Sequence, residues 1–212
     1  MRVRRMKNLE PRRERVARYL IEPPESGALD FSRVFGNGNA VHMELGSGKG
    51  GFLCALSQQN PDVNFIGVER VPEVLVMAME KAQAAGRENL RYMNCDVRAL
   101  AEAVAPGSVG RIYLNFSDPW PKDRHAKRRL TAAPFLDLYA RILAPGGQLH
   151  MKTDNRNLFE YSLCELEKRG AVVTDVCYDL HASACPGNVM TEYERKFVER
   201  GQPIHRLVAA FG

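Results

Sequence analysis

Short apolar runs alternate with segments of helical spacing from residue 41 onwards. The apolar runs predict seven strands, at residues 41–45, 63–68, 90–94, 111–115, 148–152, 171–178 and 204–211. Strand–helix repeats form right-handed βαβ units, in which the strands lie side by side and helices cover both faces of the sheet. The alternation therefore predicts an α/β fold with a Rossmann-like, mostly parallel sheet.

Polar and turn-forming residues set the expected boundaries of several elements. Thr131 and Asn155 each precede apolar residues at helical spacing, so both are predicted N-caps. The Pro-Gly-Gly run at 145–147 is predicted to be the turn before the fifth strand. We divide the chain into a basic arm and lead-in at residues 1–38 and a single domain at residues 39–212.

Acidic residues stand at or just beyond the ends of five predicted strands. They are Glu44, Glu69, Asp96, Asp118 and Asp154. In open α/β sheets, ligands bind outside the carboxyl ends of the strands. The shared position of the five acids therefore predicts a ligand site along one edge of the sheet.

The glycine cluster after the first strand fits two ligand-binding patterns. Gly46, Gly48 and Gly51 match the dinucleotide pattern G-x-G-x-x-G, with an acid about 20 residues further on. Gly46, Gly48 and Gly50 match instead the tighter G-x-G-x-G loop of S-adenosylmethionine enzymes. A nicotinamide-dependent oxidoreductase and a methyltransferase are thus both open at this point.

The charge of Glu44 favours the methyl donor over a dinucleotide. A carboxylate beside the loop would repel a pyrophosphate, which binds to backbone N–H groups. S-adenosylmethionine has no phosphate and carries two cationic groups, so Glu44 would stabilise it. Glu69 is placed to accept from the ribose hydroxyls, and Asp96 to accept from the adenine amine.

The segment at 115–131, NFSDPWPKDRHAKRRLT, combines an acid, a rigid turn and the ring of Trp120 with a cationic loop. The five cations are Lys122, Arg124, Lys127, Arg128 and Arg129. An acid beside an aromatic ring suits a flat polar base, and the cations suit phosphates. The segment predicts an enzyme that acts on a base within a nucleic acid. Trp120 either stacks on that base or braces the turn.

Positive charge is concentrated in two places. Residues 1–18 carry a net charge of +6 and residues 121–129 carry +4, so the rest of the chain is acidic although the total is +5. Two basic patches on an acidic body favour a polyanion partner. The alternative for the arm is a solvated, disordered tail.

Membrane insertion and metal binding are not expected from the sequence. No apolar run approaches the ~20 residues of a membrane span, so a cytoplasmic protein is expected. Five scattered cysteines are interpreted as free thiols. Cys177, His181 and Cys185 are regularly spaced but lack a matching fourth ligand, so no metal site is predicted.

Four segments together resemble the bacterial tRNA (guanine-N7)-methyltransferase family: ELGSGKG, NFSDPWPKDRHAKRRLT, LAPGGQLHMKTDN and TEYERKF. They occur in the family's order and cover nearly all of residues 41–212. The resemblance implies a seven-stranded class I methyltransferase sheet with an antiparallel last strand. It also implies S-adenosyl-L-methionine as methyl donor, S-adenosylhomocysteine as product, and N7 of a guanosine in the tRNA variable loop as methyl acceptor. The partner is tRNA, no DNA is expected, and the chain is expected to be a monomer or a homodimer.

The resemblance also assigns site residues. Cofactor contacts fall on Glu44, Gly46, Gly48, Glu69, Asp96 and Asp118, of which Asp118 is the expected catalytic residue. Contacts with tRNA or guanine fall on Lys122, Arg124, Lys127, Arg128, Arg129, Asp154, Thr191 and Glu194. The alternatives that stay open are a methyltransferase for another RNA, one for a small molecule or a protein, a nicotinamide-dependent oxidoreductase, and a non-catalytic RNA-binding module.

Overall fold

The computed structural model describes residues 6–24, 27–183 and 188–211. The chain divides into two compact units, residues 1–105 and 106–212. The strands of the first unit are β1 (Val41–Leu45), β2 (Asn64–Val68) and β3 (Leu90–Met93). Its helices are α1 (Leu9–Arg15), α2 (Phe31–Phe35), α3 (Gly51–Gln59), α4 (Pro72–Ala84) and α5 (Leu100–Ala103), with 3-10 turns at Ala17–Tyr19 and Val97–Ala99.

The second unit contains the remaining elements. Its strands are β4 (Val109–Asn115), β5 (Leu143–Thr153), β6 (Val172–Cys177) and β7 (His205–Ala210). Its helices are α6 (Ala133–Ile142), α7 (Arg156–Lys168) and α8 (Glu192–Val198), and a 3-10 helix spans Asp123–Arg128. No helix in the described ranges is long and apolar enough to cross a membrane.

The seven strands form one sheet in the order β3-β2-β1-β4-β5-β7-β6. Strand β1 pairs in parallel with β2, β2 with β3, and β4 with β5. Strand β7 is antiparallel to both of its neighbours, β5 and β6. The predicted seven-stranded, mostly parallel sheet with an antiparallel last strand is therefore confirmed.

The arm packs onto the first unit from α1 onwards. Val16, Tyr19 and Ile21 are buried, and the Ile21 N–H donates to the carbonyl of Tyr92 at 2.7 Å. The Arg12 guanidinium also forms two bonds with Glu80 of α4. The alternative of a solvated tail is therefore wrong for this part of the arm, while residues 1–5 lie outside the described ranges.

Two local predictions in the second unit need correction, and one is confirmed. Asn155 caps α7 by accepting from the Leu158 N–H at 2.8 Å. Thr131 is no cap, because its buried hydroxyl instead bonds the Ser162 hydroxyl at 2.7 Å and α6 begins two residues later. The Pro-Gly-Gly run at 145–147 lies within β5, where the pairing with β4 shifts register.

Candidate functional site

The glycine loop follows β1 and has a left-handed backbone at every second residue. The φ angles are +82° at Gly46, +55° at Gly48 and +70° at Gly50. Side chains with a Cβ rarely adopt these angles, so glycine is required at alternate positions. The backbone therefore follows the G-x-G-x-G pattern, and Gly51 is simply the first residue of α3. This geometry favours the methyl-donor interpretation of the cluster.

Glu69 links the glycine loop to the end of β2. One of its carboxylate oxygens accepts from the Gly48 N–H at 3.1 Å, and the other accepts from the Val71 N–H at 2.9 Å. A carboxylate oxygen can accept more than one hydrogen bond. Glu69 can therefore hold the loop and still accept from ribose hydroxyls.

Tyr92 packs closely beneath the end of the glycine loop. Tyr92 is buried between Gly50 and Gly67: a Cβ on Gly50 would lie 2.5 Å from the Tyr92 hydroxyl, and one on Gly67 would lie 2.6 Å from its ring. Burial, followed by the nearby charge of Glu44, raises the pKa of Tyr92 well above its usual value. Tyr92 is thus a neutral phenol that fills the space between the two glycines.

Asp96 lies three residues beyond β3 and is held ionised. Its carboxylate accepts from the Arg98 N–H at 3.0 Å and from the Arg98 guanidinium at 2.8 and 3.0 Å. The hydrogen bond from Arg98 lowers the pKa of Asp96 to about 2. Asp96 is therefore a hydrogen-bond acceptor at any physiological pH.

The first unit thus brings together the acids expected at its three strand ends. Glu44 lies on β1, which pairs with β2, and β2 leads into Glu69 and pairs with β3. Among the described residues, no atom lies within 4 Å of a Cβ built on Gly46 or Gly48, so that side of the loop is open. Acidic acceptors beside an open glycine turn fit the ribose, adenine and cationic groups of S-adenosylmethionine.

In the second unit, two strained residues flank Asp118. Phe116 and Trp120 have φ angles of +53° and +42°, and they are the two non-glycine residues with positive φ in the described ranges. Such conformations cost about 1–3 kcal/mol each and cluster at functional sites. Asp118 itself is exposed at the tip of the turn, so its carboxylate is available to a ligand.

The ring of Trp120 packs against its own loop. The Arg128 guanidinium carbon lies 4.9 Å from the ring centroid, and the His125 ring meets it edge-on at 5.8 Å. These contacts fix the ring on the 3-10 helix at Asp123–Arg128. Of the two roles expected for Trp120, they favour bracing of the turn.

The five cations of the loop differ in exposure. Lys122, Arg124, Lys127 and Arg128 are exposed, whereas Arg129 is half-buried. The exposed four lie on or beside one 3-10 helix, where a polyanion can reach them, and Arg128 packs on the Trp120 ring as well. They are therefore the better candidates for phosphate contacts.

A buried polar network joins the end of β5 to α8. The Lys152 ammonium donates to the Val189 carbonyl, the Asn188 side chain and the Glu194 carboxylate. Glu194 is completely buried and also accepts from the Asn188 amide at 2.6 Å and lies 3.0 Å from His181 Nε2. The network orders the residues next to α8.

Thr191 and Glu194 are connected directly as well. The Thr191 hydroxyl accepts from the Glu194 N–H at 2.9 Å, and the Glu194 carboxylate accepts from the Thr191 N–H at 3.2 Å, which forms a capping box. The sequence analysis did not predict that Lys152, Asn188 and His181 belong to this network. The one signal for it in the sequence is a lysine at the end of an apolar strand, which needs a buried partner.

Comparisons with known proteins agree with this geometry. The family described as "Putative methyltransferase" matches residues 38–207. A tRNA (guanine-N(7)-)-methyltransferase of Streptococcus thermophilus (strain CNRZ 1066) is 49% identical over 211 residues, which cover 100% of this chain and 99% of the relative. One from Lachnoclostridium phytofermentans is 46% identical over 208 residues, or 97% of each chain. The chain belongs to the tRNA (guanine-N7)-methyltransferase family.

A solved structure supports the fold of this family member. The 16S rRNA methyltransferase KamB superimposes with a TM-score of 0.63 over 87% of this chain and 94% of that chain, at 16% identity. Similarity at that identity concerns the fold alone. It agrees with the class I methyltransferase sheet expected for the family.

In this member of the family, each unit gathers part of the expected site. The first unit holds Glu44, Gly46, Gly48, Glu69 and Asp96 at the carboxyl ends of β1–β3. In the second unit, Asn115 of β4 is in register with Lys152 of β5, so Asp118 and Asp154 follow neighbouring strand ends. The network around Lys152 then adds Thr191 and Glu194. Cys185 lies outside the described residues, and the other four cysteines are free.

Proposed function

We propose that the chain transfers a methyl group from S-adenosyl-L-methionine to N7 of a guanosine in the variable loop of tRNA. The observation that carries the proposal is the exposed acid Asp118 on a strained turn, followed at once by four exposed cations. This combination suits a base that arrives on a phosphate backbone. The names of the full-length relatives give tRNA as the substrate and guanine N7 as the methylated atom. The expected location, the cytoplasm, follows from that substrate.

Residues of the first unit would hold the methyl donor. Glu69 would accept from the ribose hydroxyls, and Asp96 from the adenine amine, while Gly46 and Gly48 leave room for close approach. The buried carboxylate of Glu44 would stabilise the cationic part of the ligand. When bound, the donor supplies a methyl group on a positively charged sulfur.

Asp118 would act on the electrostatics of the reaction. Guanine N7 carries an in-plane lone pair and no proton, so its attack needs no general base. Catalysis then rests on alignment, and well-oriented reactants gain ~7–11 kcal/mol from proximity. Positive charge appears on the purine as the new bond forms. The exposed Asp118 carboxylate would stabilise this charge in the transition state.

The second unit would bind the RNA. Lys122, Arg124, Lys127 and Arg128 would contact phosphates, which offsets the cost of moving the base out of its stack. Asp154, half-buried after β5, would accept from the N1–H and N2–H₂ edge of guanine, which adenine lacks. Glu194 would act through the segment that it orders, and its direct contact with guanine stays a prediction.

The decisive experiment is methyl transfer to an unmodified tRNA transcript. Incubation with labelled S-adenosylmethionine should give N7-methylguanosine at a single nucleoside in the variable loop. A tRNA with 7-deazaguanosine at that position is the matched control, because it lacks the N7 atom and should accept no label. Label elsewhere in the tRNA, or only in another RNA or a small molecule, would support one of the alternative methyltransferases. Tight tRNA binding with no label at all would favour a non-catalytic module.

A further inference from the structure

Arg129 differs from the other cations of its loop in what its guanidinium contacts. Its Nε donates to the Pro119 carbonyl at 3.1 Å, and its Nη2 donates to the Trp120 carbonyl at 3.1 Å. The guanidinium carbon also lies 4.3 Å above the centroid of the Tyr161 ring on α7. The group is therefore fixed from two sides by the protein itself.

The two carbonyls belong to the residues that follow Asp118. Trp120 has a φ angle of +42°, a conformation that persists only where surrounding contacts enforce it. A planar guanidinium can donate to two successive carbonyls at once, whereas a lysine ammonium is a compact point charge. Arg129 is thus bonded to the backbone at the strained residue and at the residue before it.

We propose that Arg129 is a positioning residue that fixes the turn carrying Asp118, in place of the phosphate contact that the sequence predicts for it. The role in turnover rests on the proposed function, because it assumes that Asp118 faces the reacting base. The role in holding the turn does not. Tyr161 is the platform on which the guanidinium stacks while it donates to both carbonyls.

Trp120 makes the proposal directly measurable, because it is the only tryptophan of the chain. In the free protein, Arg129→Lys keeps the charge but loses the two-carbonyl contact. We expect its Trp120 fluorescence to shift and to be quenched more readily by acrylamide. Arg124→Gln, an exposed neighbour, is the matched control and should leave Trp120 quenching of the free protein unchanged.

Kinetics separate the positioning role from a phosphate contact. We expect Arg129→Lys to lower kcat at saturating tRNA by about tenfold or more, since small misplacements of reacting groups are costly. The neutral variant Arg129→Gln should leave the slope of log K against log[salt] unchanged, whereas Arg124→Gln should reduce it by about one.

The proposal is overturned if Arg129→Gln lowers the salt slope by about one while Trp120 quenching stays at the parent value. If Arg129→Lys fails to fold, Tyr161→Leu serves instead, because it removes the platform and leaves both hydrogen-bond acceptors. It should increase Trp120 quenching, and no change in quenching would likewise overturn the proposal. A parent enzyme without activity on tRNA would refute the proposed function, while the fluorescence result would still decide whether Arg129 holds the turn.

Discussion

The ammonium of Lys152 lies 2.6 Å from the carboxylate of Glu194, and both side chains are buried. Lys152 is two residues before Asp154, and Glu194 belongs to the capping box of Thr191. The ion pair therefore connects two segments that are expected to meet the same guanine. Movement of one segment would require the other to move or the pair to break.

Loss of one partner of this pair should be strongly destabilising. Glu194→Ala leaves the Lys152 ammonium buried without its carboxylate, and such changes cost about 3–5 kcal/mol. The free energy of unfolding in urea measures the effect. The double variant Lys152→Met/Glu194→Met is the control, because it removes both charges and should recover much of the loss. If Glu194→Ala is as stable as the parent, the Lys152–Glu194 ion pair does not stabilise the fold.

The contribution of Glu194 to the free energy of unfolding should depend on pH. Burial would raise the pKa of Glu194, but the charge and hydrogen bond of Lys152, with bonds from Asn188 and Thr191, lower it below its ordinary value of 4.5. Because the pKa of Glu194 is lower in the folded state than in the unfolded state, its carboxylate stabilises the fold above pH 4.5. This stabilisation is lost as the pH falls below 4.5. The stability difference between the parent and Glu194→Gln should therefore narrow below that pH. A constant difference in urea unfolding down to about pH 3 would argue against an ionised Glu194.

Replacement of Asp118 should affect catalysis rather than binding. Asp118→Ala removes the carboxylate that we propose stabilises charge on the purine, so kcat should fall by about 10²–10³. The tRNA dissociation constant should stay near that of the parent. Asp123→Ala is the matched control, because Asp123 is an exposed acid of the same loop without an assigned role. Unaltered turnover in Asp118→Ala would remove Asp118 from the mechanism.

The exposed loop cations should determine the salt dependence of tRNA binding. Each phosphate contact that is lost reduces the slope of log K against log[salt] by about one. Lys127→Gln should therefore weaken binding and flatten the slope, measured by filter binding at several salt concentrations. Lys168→Gln removes an equal charge from α7, where Lys168 pairs with Glu165, and should leave the slope unchanged.

The close packing at the glycine loop should make Gly67 intolerant of a side chain. A Cβ at Gly67 would lie 2.6 Å from the Tyr92 ring, and overpacking of this kind costs about 1–3 kcal/mol. Gly67→Ala should therefore lower the thermal midpoint. Gly38→Ala is the control, because a Cβ there meets no atom of the described part of the chain within 4 Å. Tyr92→Leu in the same chain should restore part of the loss, and failure to do so would place the clash elsewhere.

Local sequence signals predicted the elements whose cause is local. The acids Glu44, Glu69 and Asp96 lie in or just after apolar strands, and Asn155 caps a helix that begins at the next residue. The glycine pattern at 46–50 likewise required only the φ angles of its own residues. The antiparallel direction of β7 came from the resemblance, because the run at 204–211 does not indicate how its strand pairs with its neighbours.

Contacts between distant residues explain what the sequence did not reveal. Thr131 resembles an N-cap, but its hydroxyl bonds Ser162, a residue of α7. The sequence predicts only that Lys152 ends a strand, because its buried partner Glu194 is 42 residues away in the chain. Arg129 is one of five adjacent cations by sequence, and its distinct role depends on the carbonyls and the ring that the fold places around it.

The position of β7 between β5 and β6 affects how the chain folds during synthesis. Strand β6 is made before α8, yet its one neighbour in the sheet, β7, is made after that helix. On the ribosome, β6 therefore stays unpaired until β7 has been made, whereas β1, β2 and β3 can pair with one another as soon as β3 has been made. An unpaired strand edge can pair with another chain, so we expect the nascent second half to be more prone to aggregation than the first.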